Sequence, residues 1–306
     1  IDPRMTLQGR VIRYQSGFYT VMTDERIVTC KIRGKLKENF RQTDLVAVGD
    51  LVEFTQLQDG TGVIECILPR KNELIRMISG IKSEYRQVLI SNLDQILLVF
   101  AVTQPEPRLR MLDRFLVICE KQGIPPLIVA NKVDLSGMDQ AKSVFSVYSD
   151  IGYDVLYTST ASDIGIADLK ERLQGKVTGL VGPSGVGKSS LINRIDPRLN
   201  LKVNEISNYN RKGKHTTVVR EMFPLKEGGF VADLPGLKTL ALWDIQPEEL
   251  DGYFPEISPL VSKCLYGDCT HSPSEVGCAV HEAVIEGKIS RERYESYLRI
   301  RFGEPD

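Results

Sequence analysis

The chain has 306 residues, of which 42% are hydrophobic and 26% charged, and its formal net charge is −1. This length allows two or three domains with cores of their own. Near-neutrality excludes a wholesale polyelectrolyte attraction to nucleic acid or membranes, and no apolar run approaches the ~20 residues of a membrane-spanning helix.

Ile1-Asp2-Pro3-Arg4 ahead of Met5 reads as an appended remnant rather than a signal peptide, so the expected location is cytoplasmic. From Met5 to about residue 70 the pattern alternates with a strand period: Val11-Ile12-Arg13-Tyr14, Phe18 to Met22 and Ile27 to Ile32, separated by polar turns. A fourth strand follows Val48-Gly49-Asp50, and Asp59-Gly60 marks a hairpin into a fifth. Strands this short and this closely spaced fit a small closed barrel of the oligonucleotide/oligosaccharide-binding (OB) type, with an SH3-like barrel as the alternative. Tyr14, Phe18 and Tyr19 either fill that barrel or offer faces on which bases stack. Cys30, Cys66 and Cys119 stand singly in apolar stretches and are expected to be buried thiols.

From about Gln87 strands alternate with helices. Gln95 to Val102 is a continuous apolar strand, Arg108 to Gln122 a helix and Leu127 to Ala130 a strand. A helix near 139–149, a strand at 154–158, a helix near 166–173 and a buried strand at 177–181 follow. Such runs predict a parallel sheet covered on both faces. Two motifs stand at strand ends. After Leu127–Ala130 comes Asn131-Lys132-Val133-Asp134, an NKxD guanine reader. An aspartate accepts two hydrogen bonds from the ring N–H and exocyclic amine of guanine, and adenine offers no matching pair of donors. Asn131 tethers the loop and touches the base, while the stem of Lys132 lies along the ring. Ser159-Thr160-Ala161, after the strand at 154–158, takes the place of the loop whose backbone N–H contacts the guanine carbonyl; a generic turn is the alternative.

The strand at 177–181 runs into Gly182-Pro183-Ser184-Gly185-Val186-Gly187-Lys188-Ser189, a GxxxxGK[ST] phosphate loop, and a helix opens at Ser190. Its backbone N–H groups cradle phosphate oxygens, Lys188 bridges the terminal phosphates, and Ser189 binds magnesium. Beyond it, Arg198, Lys202, Arg211, Lys212, Lys214 and Arg220 face Glu205 alone. Such a run is often only a solvated loop. Ending in Lys214-His215-Thr216-Thr217, it sits where a first switch closes onto magnesium, with Thr216 or Thr217 as ligand and His215 as the candidate for orienting the attacking water. Asp233-Leu234-Pro235-Gly236 then reads DxxG: Asp233 holds magnesium, directly or through water, and the Gly236 backbone senses the γ-phosphate. Base reader precedes phosphate loop, the reverse of the Ras-like order, and a circular permutation explains it.

After Trp243 the chain becomes helical and polar, with a charged helix near 290–302. Cys264-x4-Cys269-x-His271-x6-Cys278 supplies three thiolates and one imidazole, a closed set of the kind structural zinc prefers, with His281 as a spare ligand. The organisation expected is a multidomain chain: an all-β OB-like barrel over 5–70, an α/β circularly permuted P-loop GTPase over 71–244, and a mostly helical zinc-binding domain over 245–306. Few features suggest a stable oligomer, so a monomer is expected.

The order NKVD, GPSGVGKSS, KHTT and DLPGL, between a barrel and a Cys3His segment, closely resembles the bacterial RsgA family, also called YjeQ or YloQ. These are circularly permuted GTPases dependent on the small ribosomal subunit. The resemblance covers nearly all of the chain from Met5. It implies a late-acting assembly factor whose hydrolysis of GTP the small subunit stimulates, with barrel and zinc domain contacting ribosomal RNA. Leu237 stands where Ras-like proteins carry the glutamine that orients water, which implies slow intrinsic hydrolysis and is similar to the family pattern. Gly185 stands where potassium-activated GTPases carry asparagine, so a potassium-dependent mechanism is not supported. The basic run at 198–220 then has a role in phosphate-backbone contact with the stimulating surface.

Overall fold

A computed structural model describes residues 6–34, 45–78, 85–201, 220–234 and 245–303. The chain divides into two compact units. One comprises 1–96, 168–181 and 189–241; the other comprises 97–167, 182–188 and 242–306.

Strands β1 (Thr6–Gln15), β2 (Phe18–Met22), β3 (Ile27–Ile32), β4 (Leu51–Gln56) and β5 (Gly62–Ile67) form the barrel. They run β1-β2-β3-β5-β4, and β4 pairs back with β1 to close the ring. All pairs are antiparallel except β3 with β5. Closure leaves one small interior, filled by Val11, Tyr19, Val21, Val28, Cys30, Val52, Phe54 and Ile64. Tyr19 therefore serves as core, whereas Phe18, its neighbour on the opposite face of the pleat, is 45% exposed. The interior has no room to spare: a Cβ on Gly62 would lie 2.6 Å from Cys30 Sγ.

The expectation of a buried Cys66 is corrected, because its thiol is exposed. Opposite β5, Glu53 pairs with Cys66 but Phe54 pairs with Ile64, so Glu65 is an extra residue. This bulge turns Cys66 to the outer face that period-2 alternation would have denied it. A hairpin of β6 (Glu73–Ile78) and β7 (Tyr85–Ser91), absent from the sequence reading, follows the barrel. Asp50, fully buried, fastens hairpin to barrel. It accepts from Arg70 Nε and Nη2 at 2.7 and 2.8 Å, from Ser91 Oγ at 2.6 Å and from the Ala47 N–H at 2.7 Å.

The central sheet contains β8 (Gln95–Ala101), β9 (Pro126–Asn131), β10 (Asp154–Thr158), β11 (Val177–Val181), β13 (Phe223–Pro224) and β14 (Phe230–Asp233). Its order is β10-β9-β8-β11-β14-β13. Helices α1 (Leu109–Gln122), α2 (Met138–Asp150), α3 (Ile166–Leu173) and α4 (Lys188–Ile195) alternate with the strands. Every residue of β8 is buried, as its unbroken apolar sequence requires. The sheet is mixed rather than purely parallel, since β13 runs antiparallel to β14. The turn between them carries Gly228 and Gly229, both at positive φ (86° and 88°), a conformation that glycine adopts without strain. Just before β13, the two-residue β12 (Arg220–Glu221) pairs with β1 of the barrel.

The C-terminal region contains two 3-10 segments, Pro247–Tyr253 and Ser258–Lys263, and helices α5 (Ala279–Ile285) and α6 (Arg291–Arg301). Phe254, Ile257, Val280, Ile289, Tyr294 and Tyr297 form its core together with Val117 of α1. Trp243 lies outside the described residues.

Candidate nucleotide site and metal cluster

The NKxD segment and the GxxxxGK[ST] loop are built into each other. Asn131 ends β9 and is 1% exposed. Its Nδ2 donates to Val186 O in the phosphate loop at 2.8 Å, and its Oδ1 accepts from Thr158 Oγ1 at 3.0 Å. One side chain thus clasps the ends of β9 and β10 to the phosphate loop. Its first role is as scaffold, since a buried carboxamide must use its donors and acceptor internally. Lys132 follows in the left-handed conformation (φ 65°), which turns the chain sharply at the strand end. Its Nζ donates to Gly185 O at 2.7 Å and also to Gln104 O. The ammonium therefore ties two loops together.

Asp134 is exposed. Ser159 Oγ donates to its Oδ1 at 2.5 Å, and the same hydroxyl accepts the N–H groups of Ala161 at 3.2 Å and Ser162 at 3.1 Å. The turn after β10 and the aspartate of the reader are consequently held as one piece. Thr160, the next residue of that turn, is half-buried.

Within the phosphate loop, Gly182 and Gly187 are demanded by close approach. A Cβ on Gly182 would lie 2.0 Å from Val99 O, and one on Gly187, whose φ is 98°, would lie 2.5 Å from Asn131 Nδ2. Ser184 and Gly185 at the loop tip are exposed, while Pro183 and Val186 are buried beneath it. Lys188 opens α4 and folds back, its Nζ donating to Gly182 O at 2.8 Å and Pro183 O at 3.0 Å. Ser189 is buried and Ser190 half-buried. In the other unit, parallel pairing of β11 with β14 sets Leu180 beside Asp233. His215, Thr216, Thr217, Gly236 and Leu237 lie outside the described residues, as does the basic run from Lys202 through Lys214.

Three partners escaped the sequence reading: the Gln104 carbonyl, Thr158, and the Ser159 hydroxyl acting on Asp134. Gln104 lies in a loop after β8 that carries no motif, and nothing local in the sequence could have found it. Thr158 and Ser159 could have been suspected, because Thr158 ends the strand beside β9 and Ser159 follows it directly.

The second constellation is the cysteine cluster. One ligand atom from each of Cys264, Cys269, His271 and Cys278 lies within 4.8 Å of the other three. His271 Nδ1 is 3.5 Å from Cys264 Sγ and 3.4 Å from Cys278 Sγ. Tetrahedral zinc, with ~2.3 Å bonds to sulfur and ~2.0 Å to nitrogen, puts such pairs about 3.5 Å apart. Cys269 and Cys278 are buried, and burial pushes the Cys269 thiol up to about 12. A bound dication reverses that preference and takes the thiolates. The donor set and spacing fit zinc. His281 is not part of the cluster among the described residues; its backbone N–H donates to Cys278 Sγ at 3.4 Å, and its ring stacks on Tyr294.

An NKxD segment hydrogen-bonded to a GxxxxGK[ST] loop that lies later in the chain is the arrangement of a circularly permuted P-loop GTPase. The comparisons place it more narrowly. The model of the RsgA GTPase matches residues 67–243, and that of the RsgA N-terminal domain matches residues 8–64. A small ribosomal subunit biogenesis GTPase RsgA from Bacteroides fragilis is 42% identical over 297 residues, covering 95% of each chain. The crystal structure of YjeQ from Thermotoga maritima superposes with a TM-score of 0.78 at 35% identity, covering 98% of this chain and 99% of that one. That of YloQ, described as a circularly permuted GTPase, gives 0.74 at 32% identity, covering 99% and 96%. The chain belongs to the RsgA GTPase family, whose activity is hydrolysis of GTP.

Proposed function

We propose that this GTPase acts in biogenesis of the small ribosomal subunit, with turnover stimulated by that subunit and with GTP and GDP as its nucleotides. The observation that carries this reading is the interlock of Asn131 with Val186, which makes guanine reading and phosphate binding a single device, in a chain that aligns over nearly its full length with a small-subunit biogenesis GTPase.

In this reading Asp134 selects guanine, held by Ser159, while Asn131 and Lys132 shape the pocket and the turn at Ser159 and Thr160 meets the guanine carbonyl. The N–H groups of Gly182 to Ser190 and the ammonium of Lys188 neutralise the phosphates. Magnesium, which polarises the terminal phosphates, belongs with Ser189, Asp233 and one of Thr216 and Thr217. His215 orients water, and Gly236 senses the γ-phosphate. With Leu237 where an orienting glutamine would stand, hydrolysis needs an external surface to order the first switch. Zinc on Cys264, Cys269, His271 and Cys278 organises the C-terminal region. The boundaries 5–70, 71–244 and 245–306 divide barrel, GTPase and zinc domain in a cytoplasmic monomer. The barrel and zinc domain face ribosomal RNA, and the exposed Phe18 with Lys31 Nζ 4.9 Å from its ring centre supports a base-stacking contact on the barrel. No helix among the described residues is long and apolar enough to cross a membrane.

The test is GTP turnover with purified small subunits, with large subunits as control, for the wild type and for H215A. Stimulation by small subunits alone, lost in H215A while GTP still binds, is the expected result. Equal turnover in all arms overturns the reading in favour of a GTP-gated RNA-binding scaffold.

A further inference from the structure

His271 is 0% exposed, so both ring nitrogens need partners from the protein or from a metal. Nδ1 faces the sulfurs of Cys264 and Cys278. Nε2 is buried without a well-formed hydrogen bond, and the acceptor beside it is Asp251 Oδ2 at 3.4 Å. That is long for a hydrogen bond. Asp251 lies in the 3-10 segment Pro247–Tyr253, outside the ligand spacing, so no motif marks it. Its other oxygen is already engaged. Oδ1 accepts from Tyr297 Oη and from Arg301 Nη1, the latter at 2.8 Å, and Arg301 also donates to Pro247 O at 2.8 Å. With Oδ1 saturated from α6, the lone pairs of Oδ2 remain for the imidazole. The histidine backbone is gripped by the same helix, because Tyr294 Oη donates to His271 O at 2.5 Å. His271 is at φ 58°, in the left-handed region, so its placement depends on such contacts.

We infer that Asp251 is the positioning carboxylate of the metal cluster: it takes the Nε2–H of His271 and thereby keeps the Nδ1 lone pair on the metal, with Tyr297 and Arg301 of the last helix fixing the carboxylate. The inference rests on the reading of the four ligands as a zinc site. Ligating imidazoles regularly donate their second nitrogen to a carboxylate, which fixes the tautomer and raises ligand basicity. Here the arrangement also couples zinc uptake to the packing of α6 on the segment Pro247–Tyr253. An apolar residue at 251 would leave a buried imidazole N–H, a phenol and a guanidinium without their common acceptor.

The experiment measures zinc affinity of the full chain by competition with a chromophoric chelator, for the wild type, D251N, D251A and Y297F. Long-range nitrogen–proton NMR of the zinc-loaded wild type reports which histidine nitrogen carries the metal. D251A should bind zinc about 10- to 100-fold more weakly. D251N keeps an acceptor oxygen and should fall between D251A and wild type. Y297F retains the carboxylate, with Arg301 Nη1 still on Oδ1, and should lose less than D251A. The spectrum should show Nδ1 metal-bound and Nε2 protonated. Zinc on Nε2 overturns the proposal even where a variant fails to fold. So does D251A binding as tightly as wild type, in which case the cluster stands and only the role of Asp251 falls. A wild-type chain that takes up no zinc overturns the cluster reading and this inference with it.

Discussion

Arg293 is a buried cation of the C-terminal region, paired with two carboxylates, and Arg293→Met isolates its charge. The guanidinium is 3% exposed and meets two carboxylates: Nη1 donates to Asp113 Oδ1 of α1 at 2.7 Å, and Nε donates to Glu256 Oε1 at 2.7 Å. Those carboxylates are themselves 3% and 6% exposed. Burial alone would push the guanidinium down, but the two adjacent carboxylates outweigh it and hold it well above its ordinary value. It also lies 4.5 Å from the ring centre of Phe254. Methionine preserves much of the stem and its packing but removes the charge. Asp113 would keep a hydrogen bond from Tyr148 Oη at 2.8 Å, and Glu256 would lose both of its bonds to Arg293. Breaking one side of a buried ion pair costs about 3–5 kcal/mol, mostly from the charge left behind. At ~2–4 °C per kcal/mol, the melting transition of the unit should fall by roughly 10 °C. The assay is urea and thermal unfolding of R293M beside the neutral triple variant D113N/E256Q/R293M. The triple variant should recover to within about 2 kcal/mol of wild type, since neutral groups leave no orphaned charge. Acid should narrow the R293M deficit. An unpaired buried carboxylate binds its proton more tightly when folded, so its burden is absent below the ordinary carboxylate range near ~4 and grows as pH rises. A loss under about 1 kcal/mol, or a triple variant no better than R293M, would refute the charge argument.

Three further outcomes are expected. In D134N the carboxamide can accept the guanine ring N–H but turns a donor toward the exocyclic amine, so GTP affinity should fall by about 3 kcal/mol, over a hundredfold. Xanthosine triphosphate, with a carbonyl in place of that amine, should bind the variant better than GTP does; isothermal titration with both nucleotides decides. G187A must force a Cβ into the 2.5 Å gap beside Asn131 Nδ2 at a φ of 98°, breaking the Asn131–Val186 bond. The combined strain and lost bond, about 2 kcal/mol or more, should weaken GTP binding at least ~30-fold, and an unchanged affinity would contradict the interlock. Hydrogen bonds from the Arg198 guanidinium, with the backbone N–H groups of Lys226 and Arg198, hold the Asp196 carboxyl well below the usual range against the opposing effect of burial. Its stabilisation is therefore full above ~4 and is lost progressively as pH falls from there through the depressed folded value. Urea midpoints of wild type and D196N should differ at neutral pH, and the gap should begin to narrow only once pH falls below ~4; parallel curves down to the lowest pH at which the chain stays folded would exclude the linkage.

Much of the candidate site was legible because its chemistry is local in the chain. GPSGVGKS needs only a strand before it and a helix after it, since its phosphate donors are successive backbone N–H groups. The Cys3His spacing likewise brings its donors together within one short segment. The strands and helices of the central sheet follow from apolar runs that have no other way to be buried. The short edge strands were not legible. β12 and β13 contain two residues each, too few to show any period. Their pairing depends on which neighbour presents an open edge.

By itself the sequence determined which residue types could do guanine, phosphate and metal chemistry, and in what chain order, because those choices rest on functional groups and local backbone geometry. Only the tertiary structure decided how they are held. Asn131 joins Val186 across 55 residues, Lys132 reaches Gln104 across 28, and Ser159 reaches Asp134 across 25. The bulge that exposes Cys66 and the packing that brings Asp251 to His271 are of the same kind. A buried polar group takes whichever partner packing delivers within about 3 Å. That proximity is a property of the folded chain in space, and spacing along the sequence does not encode it.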